Sequence, residues 1–378
     1  MKNIALIGST GSIGTQVLNV VRANPEKFNI VSLSAGNNIS LFNEQVKEFM
    51  PKVATALTEN GVDFQNEVEY FFGENSFLNA IIEEADVVVV SLVGYMGIIA
   101  VLDAIKKRKN IALANKESLV VGGELVTYLA GKNGVSIVPI DSEHSAIWQA
   151  LNFNFNKRFK KIILTASGGA FRDLSLTEIS NAKASQALKH PNWTMGNKIT
   201  IDCATLVNKA FEVIEAKWLY GAHEDDIKAI IHKESIIHSM VEFNDNSVIA
   251  QLSYPTMELP ISLALSYPIR LKTSAPSLDF AKLKTLSFSE IDHEKYPCFN
   301  IIVNASKKGG CYPAIANGAN DIAVNLYLRD KISYNEIYCL IEGALSSYKG
   351  KYDGTFECLK DANSFAVNFV KKKFGIDE

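Results

Sequence analysis

A short apolar run, Ile4 to Ile7, passes directly into Gly8-Ser9-Thr10-Gly11-Ser12-Ile13-Gly14 and then into a helical pattern over residues 12 to 23. This order restricts what the first part of the chain can become. A strand, a glycine-rich turn and a helix start in succession bring unpaired backbone N–H groups to the positive end of a helix dipole, the arrangement that receives a pyrophosphate. The spacing is GxxGxxG rather than GxGxxG, so a plain tight turn is also compatible with it.

The pattern that follows supports a nucleotide fold. Apolar runs at Ile4–Ile7, Ile30–Leu33, Val87–Val93, Ile111–Ala114 and Val135–Val138 read as strands, and residues 12–23, 41–49, 76–84, 97–108 and 118–131 read as helices. Strands apolar on both faces and separated by helices imply a parallel sheet covered on each side. Residues 1–141 are therefore expected to form a doubly wound, Rossmann-type domain. From Lys161 the reading changes to Ile162–Thr165, then Ser167-Gly168-Gly169, and later to alternating runs at Ile236–Phe243 and Ser247–Ser253, which suggest a mixed α+β domain over residues 142–270. Residues 271–297 have weak periodicity and scattered Pro and Ser, as in a linker. Helical patterns at Asn320–Arg329, Tyr334–Ser347 and Cys358–Lys373 predict a C-terminal helical domain, residues 298–378.

Composition removes several classes of function. Of 378 residues, 47% are hydrophobic and 21% charged, the balance of a globular protein rather than a disordered one. With 38 basic against 41 acidic residues the net charge is −3, and no basic stripe interleaves with aromatics, so a nucleic-acid partner is not expected. The uncharged apolar stretch Val87–Leu102 is shorter than the ~20 residues needed to span a bilayer, so no membrane partner is expected either. The N-terminus lacks the pattern of a signal peptide, and five cysteines without CxxC spacing indicate reduced thiols; a cytoplasmic location is expected.

Three further features carry chemistry. The second strand ends at Ser34-Ala35-Gly36-Asn37-Asn38, without the acidic residue that would hold an adenosine ribose, which favours NADP over NAD. Asp141-Ser142-Glu143 follows a strand, and two carboxylates so close can share a hard cation, although a solvated acidic loop has the same pattern. The stretch from His190 to Glu215 gathers His190, Trp193, Asn197, Lys198, Asn208, Lys209 and Glu212, with Asn208 and Glu212 on one helix face; donors beside a carboxylate suit a phosphorylated ligand and a metal.

The segments GSTGSIG, ALANKESLV, IDSEHSAIWQ, LTASGG, HPNWTMG and NKAFEVIEA, in this order, closely resemble the 1-deoxy-D-xylulose 5-phosphate reductoisomerase family, as do Lys308-Gly309-Gly310 and Pro313 to Asn317. The resemblance covers essentially the whole chain. It implies an NADPH- and divalent-metal-dependent enzyme of isoprenoid precursor biosynthesis, an oxidoreductase and isomerase. In this family 1-deoxy-D-xylulose 5-phosphate is rearranged by retro-aldol and aldol steps and then reduced to 2-C-methyl-D-erythritol 4-phosphate. It also implies a homodimer.

By the same resemblance, Thr10, Gly11, Ser12, Ile13, Gly36, Asn37, Asn38, Asn115, Glu117 and Gly196 line the NADPH site. Asp141, Glu143 and Glu212 are the implied ligands of Mg²⁺ or Mn²⁺, with Co²⁺ as a further candidate. Lys116, Ser142 and Glu143 are the implied sugar-backbone contacts. Ser167, His190, Cys203, Asn208 and Lys209 are the implied phosphate-end contacts, and Trp193 belongs to a lid over residues 190–197. Lys116, Asp141, Glu143 and Glu212 are the implied catalytic set.

Several positions depart from the family pattern: Cys203 in place of Ser, Asn37 where a basic residue is common, Lys233-Glu234 in place of Pro-Gln, and YPTME at residues 254–258. They bear on substrate affinity and NADP preference. A metal-free NADP-dependent semialdehyde dehydrogenase and a non-catalytic NADP-binding sensor are the competing readings; a sensor has no use for the Asp141, Glu143, Glu212 and Lys209 set. His232 and His238, on an apolar strand pattern, are read as core residues, and both are left out of the site along with His144.

Overall fold

The computed structural model describes residues 1–193 and 195–375; Thr194, inside the expected lid, and residues 376–378, at the end of the expected helical domain, lie outside them. Chain contacts define two units. The first comprises residues 1–118, 126–145 and 256–275, and the second residues 119–125, 146–255 and 276–375.

The first unit is built on seven parallel strands: β1 (Lys2–Ile7), β2 (Phe28–Ser34), β3 (Val53–Ala56), β4 (Glu69–Phe72), β5 (Val87–Val90), β6 (Asn110–Leu113) and β7 (Ile137–Pro139). Their order is β4-β3-β2-β1-β5-β6-β7. Ile4 to Ile7 and Val88 to Val90 are fully buried, which is why both strands read as unbroken apolar runs. The direction of winding reverses between β1 and β5, and in open α/β sheets ligands bind at the carboxyl ends of the strands flanking such a switch.

Two strands of the first unit escaped the sequence reading, as did Ile227–Ile231 in the second. β3, Val-Ala-Thr-Ala, is only four residues long, and β4 at the sheet edge begins with an exposed Glu69 and is only partly buried, so neither produces a long apolar run. The helix expected over residues 76–84 is a single 3₁₀ turn, Ser76–Ala80, pinned by the Ser76 hydroxyl on the Ala56 carbonyl at 3.0 Å and followed by the acidic pair Glu83-Glu84. β5 stops at Val90 rather than Val93.

Residues 256–275 also pack otherwise than expected. The helix Glu258–Ser266 lies on the helix Ser12–Arg22 in the first unit, with Ile261 and Leu265 buried in the core that holds Val17, Leu18 and Ile140. Lys2 Nζ closes the contact on the Leu265 carbonyl at 2.6 Å. The expected boundary at residue 270 followed the weakening of periodicity, which carries no information about what an amphipathic helix packs on.

The second unit has a mixed sheet of order β11-β10-β8-β9, with β8 (Lys161–Ala166), β9 (Ile227–Ile231), β10 (Ile237–Glu242) and β11 (Val248–Leu252). β8 and β9 are parallel and the other pairs antiparallel. The helix Val207–Tyr220 packs on β8 and β9. Four helices, Pro297–Lys308, Tyr312–Leu328, Tyr334–Ser347 and Phe356–Lys373, complete the unit. The first was not anticipated and the second begins eight residues before Asn320, because it is buried along most of its length and has no polar face to mark its start. His232 is fully buried and His238 nearly so, as expected of core residues, and His144 is fully buried as well.

Candidate active site

The glycine turn after β1 is set by backbone crowding. Gly8 has φ +93°, and a Cβ there would stand 2.9 Å from the Ser91 carbonyl oxygen; a Cβ on Gly14 would overlap the Gly8 carbonyl oxygen. Both positions therefore require glycine. The Gln45 amide holds the turn from below through the Ser9 carbonyl at 3.0 Å, and the Ser91 hydroxyl holds Ile7 O at 2.7 Å. Gly11 is the N-cap of the helix Ser12–Arg22, and no side chain caps it. The first-turn amides, including those of Ser12 and Ile13, have no intrahelical partner, so an anion can satisfy them. Beside this turn, β2 leads into Gly36, Asn37 and Asn38. A Cβ on Gly36 would meet no atom within 4 Å, Asn37 is exposed, and Asn38 caps the helix Ile39–Phe49 through Leu41 N.

After β6, Asn115 is almost wholly buried, and its amide donates to Leu92 O, Gly94 O and Glu117 Oε2 at 2.9, 3.0 and 2.9 Å. Its carbonyl oxygen accepts from the Ser118 backbone and hydroxyl. Asn115 thus ties the loop after β5 to the start of the helix Glu117–Asn133, and Gly97 is a glycine because any side chain there would strike the Asn115 amide. Lys116 Nζ lies 2.9 Å from Asp141 Oδ2, both side chains being about nine-tenths buried. Asp141 Oδ1 accepts from the Glu143 amide at 3.1 Å, and Ser142 Oγ donates to Glu143 Oε2. Asp141 and Glu143 bring carboxylate oxygens within 4.8 Å of one another.

In the second unit β8 ends at Ser167. His190 Nδ1 accepts from the Asn192 and Trp193 amides at 3.2 and 3.0 Å, which places the ring proton on Nε2, and Nε2 lies 2.9 Å from Ser167 Oγ. Ser167 Oγ also accepts the Gly169 amide at 3.1 Å. With both lone pairs engaged, the Ser167 hydroxyl proton points away as a donor. Burial, and the charge of Arg172, lower His190 to about 4, so the ring is neutral near pH 7. The indole of Trp193, half-buried, meets His238 edge-on at 6.1 Å between centroids.

Gly196, exposed, caps the helix Asn197–Ala204, which carries Cys203. Gly169, at φ +66°, approaches the end of that helix so closely that a Cβ would stand 2.6 Å from Cys203 O and Ala204 Cα. On the helix Val207–Tyr220, Asn208 Nδ2 donates to Glu212 Oε1 at 2.6 Å and Lys209 pairs with Glu212 Oε2. Glu212 is fully buried and Lys209 3% exposed. A buried ion pair of this kind is weak support for stability and fits a site that needs charges held in place.

A family model described as 1-deoxy-D-xylulose 5-phosphate reductoisomerase matches residues 4–123, one described as its C-terminal domain matches residues 137–220, and one described as DXP reductoisomerase C-terminal domain matches residues 252–367. The 1-deoxy-D-xylulose 5-phosphate reductoisomerase of Shouchella clausii is 47% identical over 356 residues, 92% of this chain and 94% of that protein. The chain belongs to the 1-deoxy-D-xylulose 5-phosphate reductoisomerase family.

A Bacillus anthracis reductoisomerase is 43% identical over 98% of both chains. Among solved reductoisomerases, that of Zymomonas mobilis in complex with NADPH is 34% identical with a TM-score of 0.90, over 98% of each chain. Another, in complex with NADPH, fosmidomycin and magnesium, is 33% identical with a TM-score of 0.91, over 100% of this chain and 99% of that one. The α/β class, with a Rossmann-type sheet, a second sheet and C-terminal helices, is the family's architecture.

Within the first unit the structure assembles the glycine turn with the end of β2, and Lys116 with Asp141, Ser142 and Glu143. Within the second it assembles Ser167 with His190 and Trp193, and Asn208 and Lys209 with Glu212. Gly8 and Gly14 belong to the glycine-rich turn read from the sequence, whereas Gly97 and Gly169 were missed as determinants of the candidate site. Gly169 stood in the SGG that follows β8, a signal that was present but read only for its serine.

Proposed function

We propose that this chain converts 1-deoxy-D-xylulose 5-phosphate to 2-C-methyl-D-erythritol 4-phosphate in isoprenoid precursor biosynthesis, using NADPH and a divalent metal ion. The observation that carries this reading is the full-length match to reductoisomerases solved with NADPH and with magnesium. The residues fit both groups. The uncapped helix start and the Gly8–Gly14 turn suit the pyrophosphate, and the open space beside Gly36 leaves room at the end of β2. Asp141, mostly buried, Glu143, partly buried, and Glu212, buried, are hard oxygen donors suited to Mg²⁺ or Mn²⁺, whereas zinc more often recruits His or Cys.

When bound, NADPH supplies the hydride and the metal ion supplies Lewis-acid polarisation of the substrate oxygens. The protein's own groups do the rest. Lys116 and Ser142 hold the sugar backbone, and the Lys116 ammonium, beside Asp141, moves a proton at the reacting hydroxyl. Ser167 donates to the phosphate through the proton that His190 and Gly169 leave outward, and His190 holds it so. Asn208 and Lys209 add an amide and a cation at the phosphate, and Cys203 supplies a weak donor. Trp193 covers the substrate and excludes water. Thr10 to Ile13, Asn37, Asn38, Asn115, Glu117 and Gly196 shape the nucleotide site.

Residues 1–141, joined by residues 256–275, serve as the NADP-binding part, residues 142–255 as the catalytic part with its lid, and residues 298–378 as the helical domain, with residues 276–297 as linker. Mn²⁺ and Co²⁺ replace Mg²⁺, and the enzyme acts as a cytoplasmic homodimer; no helix among the described residues is long and apolar enough to cross a membrane. The deciding experiment follows NADPH oxidation with 1-deoxy-D-xylulose 5-phosphate in the presence and absence of Mg²⁺. Turnover should require all three components. Turnover that survives chelation, or none with this sugar phosphate, would overturn the proposal.

A further inference from the structure

Three buried phenols in the C-terminal third of the chain donate to backbone carbonyls of one segment. Tyr296 OH bonds Gly168 O at 2.9 Å, Tyr327 OH bonds Ala182 O at 3.0 Å, and Tyr334 OH bonds Ala204 O at 2.8 Å. Their side chains are 3%, 1% and 6% exposed. The acceptors bracket the segment that bears Ser167, His190 and Cys203: Gly168 follows Ser167, and Ala204 follows Cys203. Burial raises all three hydroxyls above their usual range, so they remain protonated donors across the working pH. A fourth tie runs from Asn320 Nδ2 to Asp202 Oδ1 at 2.8 Å, beside Cys203.

We propose that the C-terminal helices set the geometry of the phosphate end of the substrate site, with Tyr296 and Tyr334 as positioning residues. The proposal rests on the reading that Ser167 and Cys203 meet the phosphate. Ala204 O lies at the carboxyl end of its helix, where carbonyls lack intrahelical partners, and Gly168 lies in a positive-φ turn; neither is fixed by secondary structure. Gly169 packs directly on Ala204, so the two tethered points adjoin, and a shift of either changes the spacing between Ser167 and Cys203. Phenylalanine would fill the same space; only the hydroxyl specifies where the carbonyl must stand. The Tyr334 ring is itself held edge-on by Phe171 at 5.3 Å and Tyr327 at 6.1 Å.

The test compares the full-length enzyme, with NADPH and Mg²⁺, against Tyr334→Phe and the double variant Tyr296→Phe/Tyr334→Phe. One lost buried hydrogen bond should raise the KM for the sugar phosphate about five- to tenfold, with kcat and the KM for NADPH moving by less than about twofold. Calorimetric affinity for inorganic phosphate should fall in parallel. A lowered melting temperature with unchanged KM and unchanged phosphate affinity would reduce the phenols to ordinary structural bonds and overturn the inference. If Tyr334→Phe fails to fold, Tyr296→Phe alone is read by the same criteria. Phosphate affinity weakened in the variants of an enzyme inactive on this sugar would leave the positioning intact and refute the substrate instead; a native protein without measurable phosphate affinity would refute both.

Discussion

Replacing Ser167 by Ala removes one oxygen that has three assignments. Two are visible: it accepts from His190 Nε2 at 2.9 Å and from the Gly169 amide at 3.1 Å. The third is the donation to the substrate phosphate that these two contacts leave open. A hydrogen bond to a charged group is worth about 1.5–3 kcal/mol, and 1.4 kcal/mol is a factor of ten at 25 °C. Loss of the donor should therefore raise the KM for the sugar phosphate by about ten- to a hundredfold, while NADPH binding is unaffected. The structural cost is smaller, because Ser167 and His190 are only partly buried and water can replace the missing acceptor; a loss of about 1 kcal/mol in stability is expected. Initial rates at varied sugar phosphate and a melting curve separate the two effects. A variant with unchanged KM and a melting temperature lowered by one hydrogen bond would show that Ser167 merely tethers the His190 ring.

Four other outcomes follow from the same geometry. Cys203→Ser exchanges a weak donor for a stronger and smaller one, so the KM for the sugar phosphate should fall with little change for NADPH; an unchanged or higher value would remove Cys203 from the phosphate contacts. Glu212→Gln takes a charge from the metal shell and weakens the buried pairing with the Lys209 ammonium; turnover per folded molecule should drop steeply, and near-native turnover at limiting Mg²⁺ would exclude Glu212 as a ligand. NADPH should be preferred to NADH because no carboxylate follows β2, but only modestly, since Asn37 brings no positive charge; equal or better kcat/KM with NADH would contradict this. His190 is lowered to about 4, so the unfolded chain takes up its proton first. The associated stability is present above pH 6.5 and is lost as pH falls toward 4. An NMR titration midpoint near 6.5 would refute the buried neutral ring.

Periodicity revealed those parts of the fold whose burial is uniform. Strands buried on both faces, such as Ile4–Ile7 and Ile111–Leu113, stand out as apolar runs, and the helix Tyr334–Ser347 was legible to the residue because its polar face and its Ser333–Glu336 capping box mark it. Where burial is partial or complete in all directions the signal fails. β4 has an exposed start at the sheet edge, and the helix Tyr312–Leu328 is buried almost throughout, so neither carries the contrast that sequence reading depends on.

The site divides along a different line. The candidate residues Asp141, Glu143, His190, Lys209 and Glu212 could be picked out in the sequence because charge and hydrogen-bonding capacity belong to the residue itself. What fixes those residues in place depends on partners distant in sequence. Ser167 is an outward donor only because His190, 23 positions away, presents a proton and Gly169 a backbone amide. His190 can present that proton only because the Asn192 and Trp193 amides occupy its other nitrogen. The Ser167 turn is in turn held by Tyr296, 128 positions from its acceptor Gly168. Each link is chemically ordinary, and none has a local signature, since a tyrosine bonded to a carbonyl and a tyrosine packed as a phenylalanine leave the same letter in the chain. The direction in which the Ser167 proton points is therefore a property of the folded second unit, and it decides whether the hydroxyl can serve an anion.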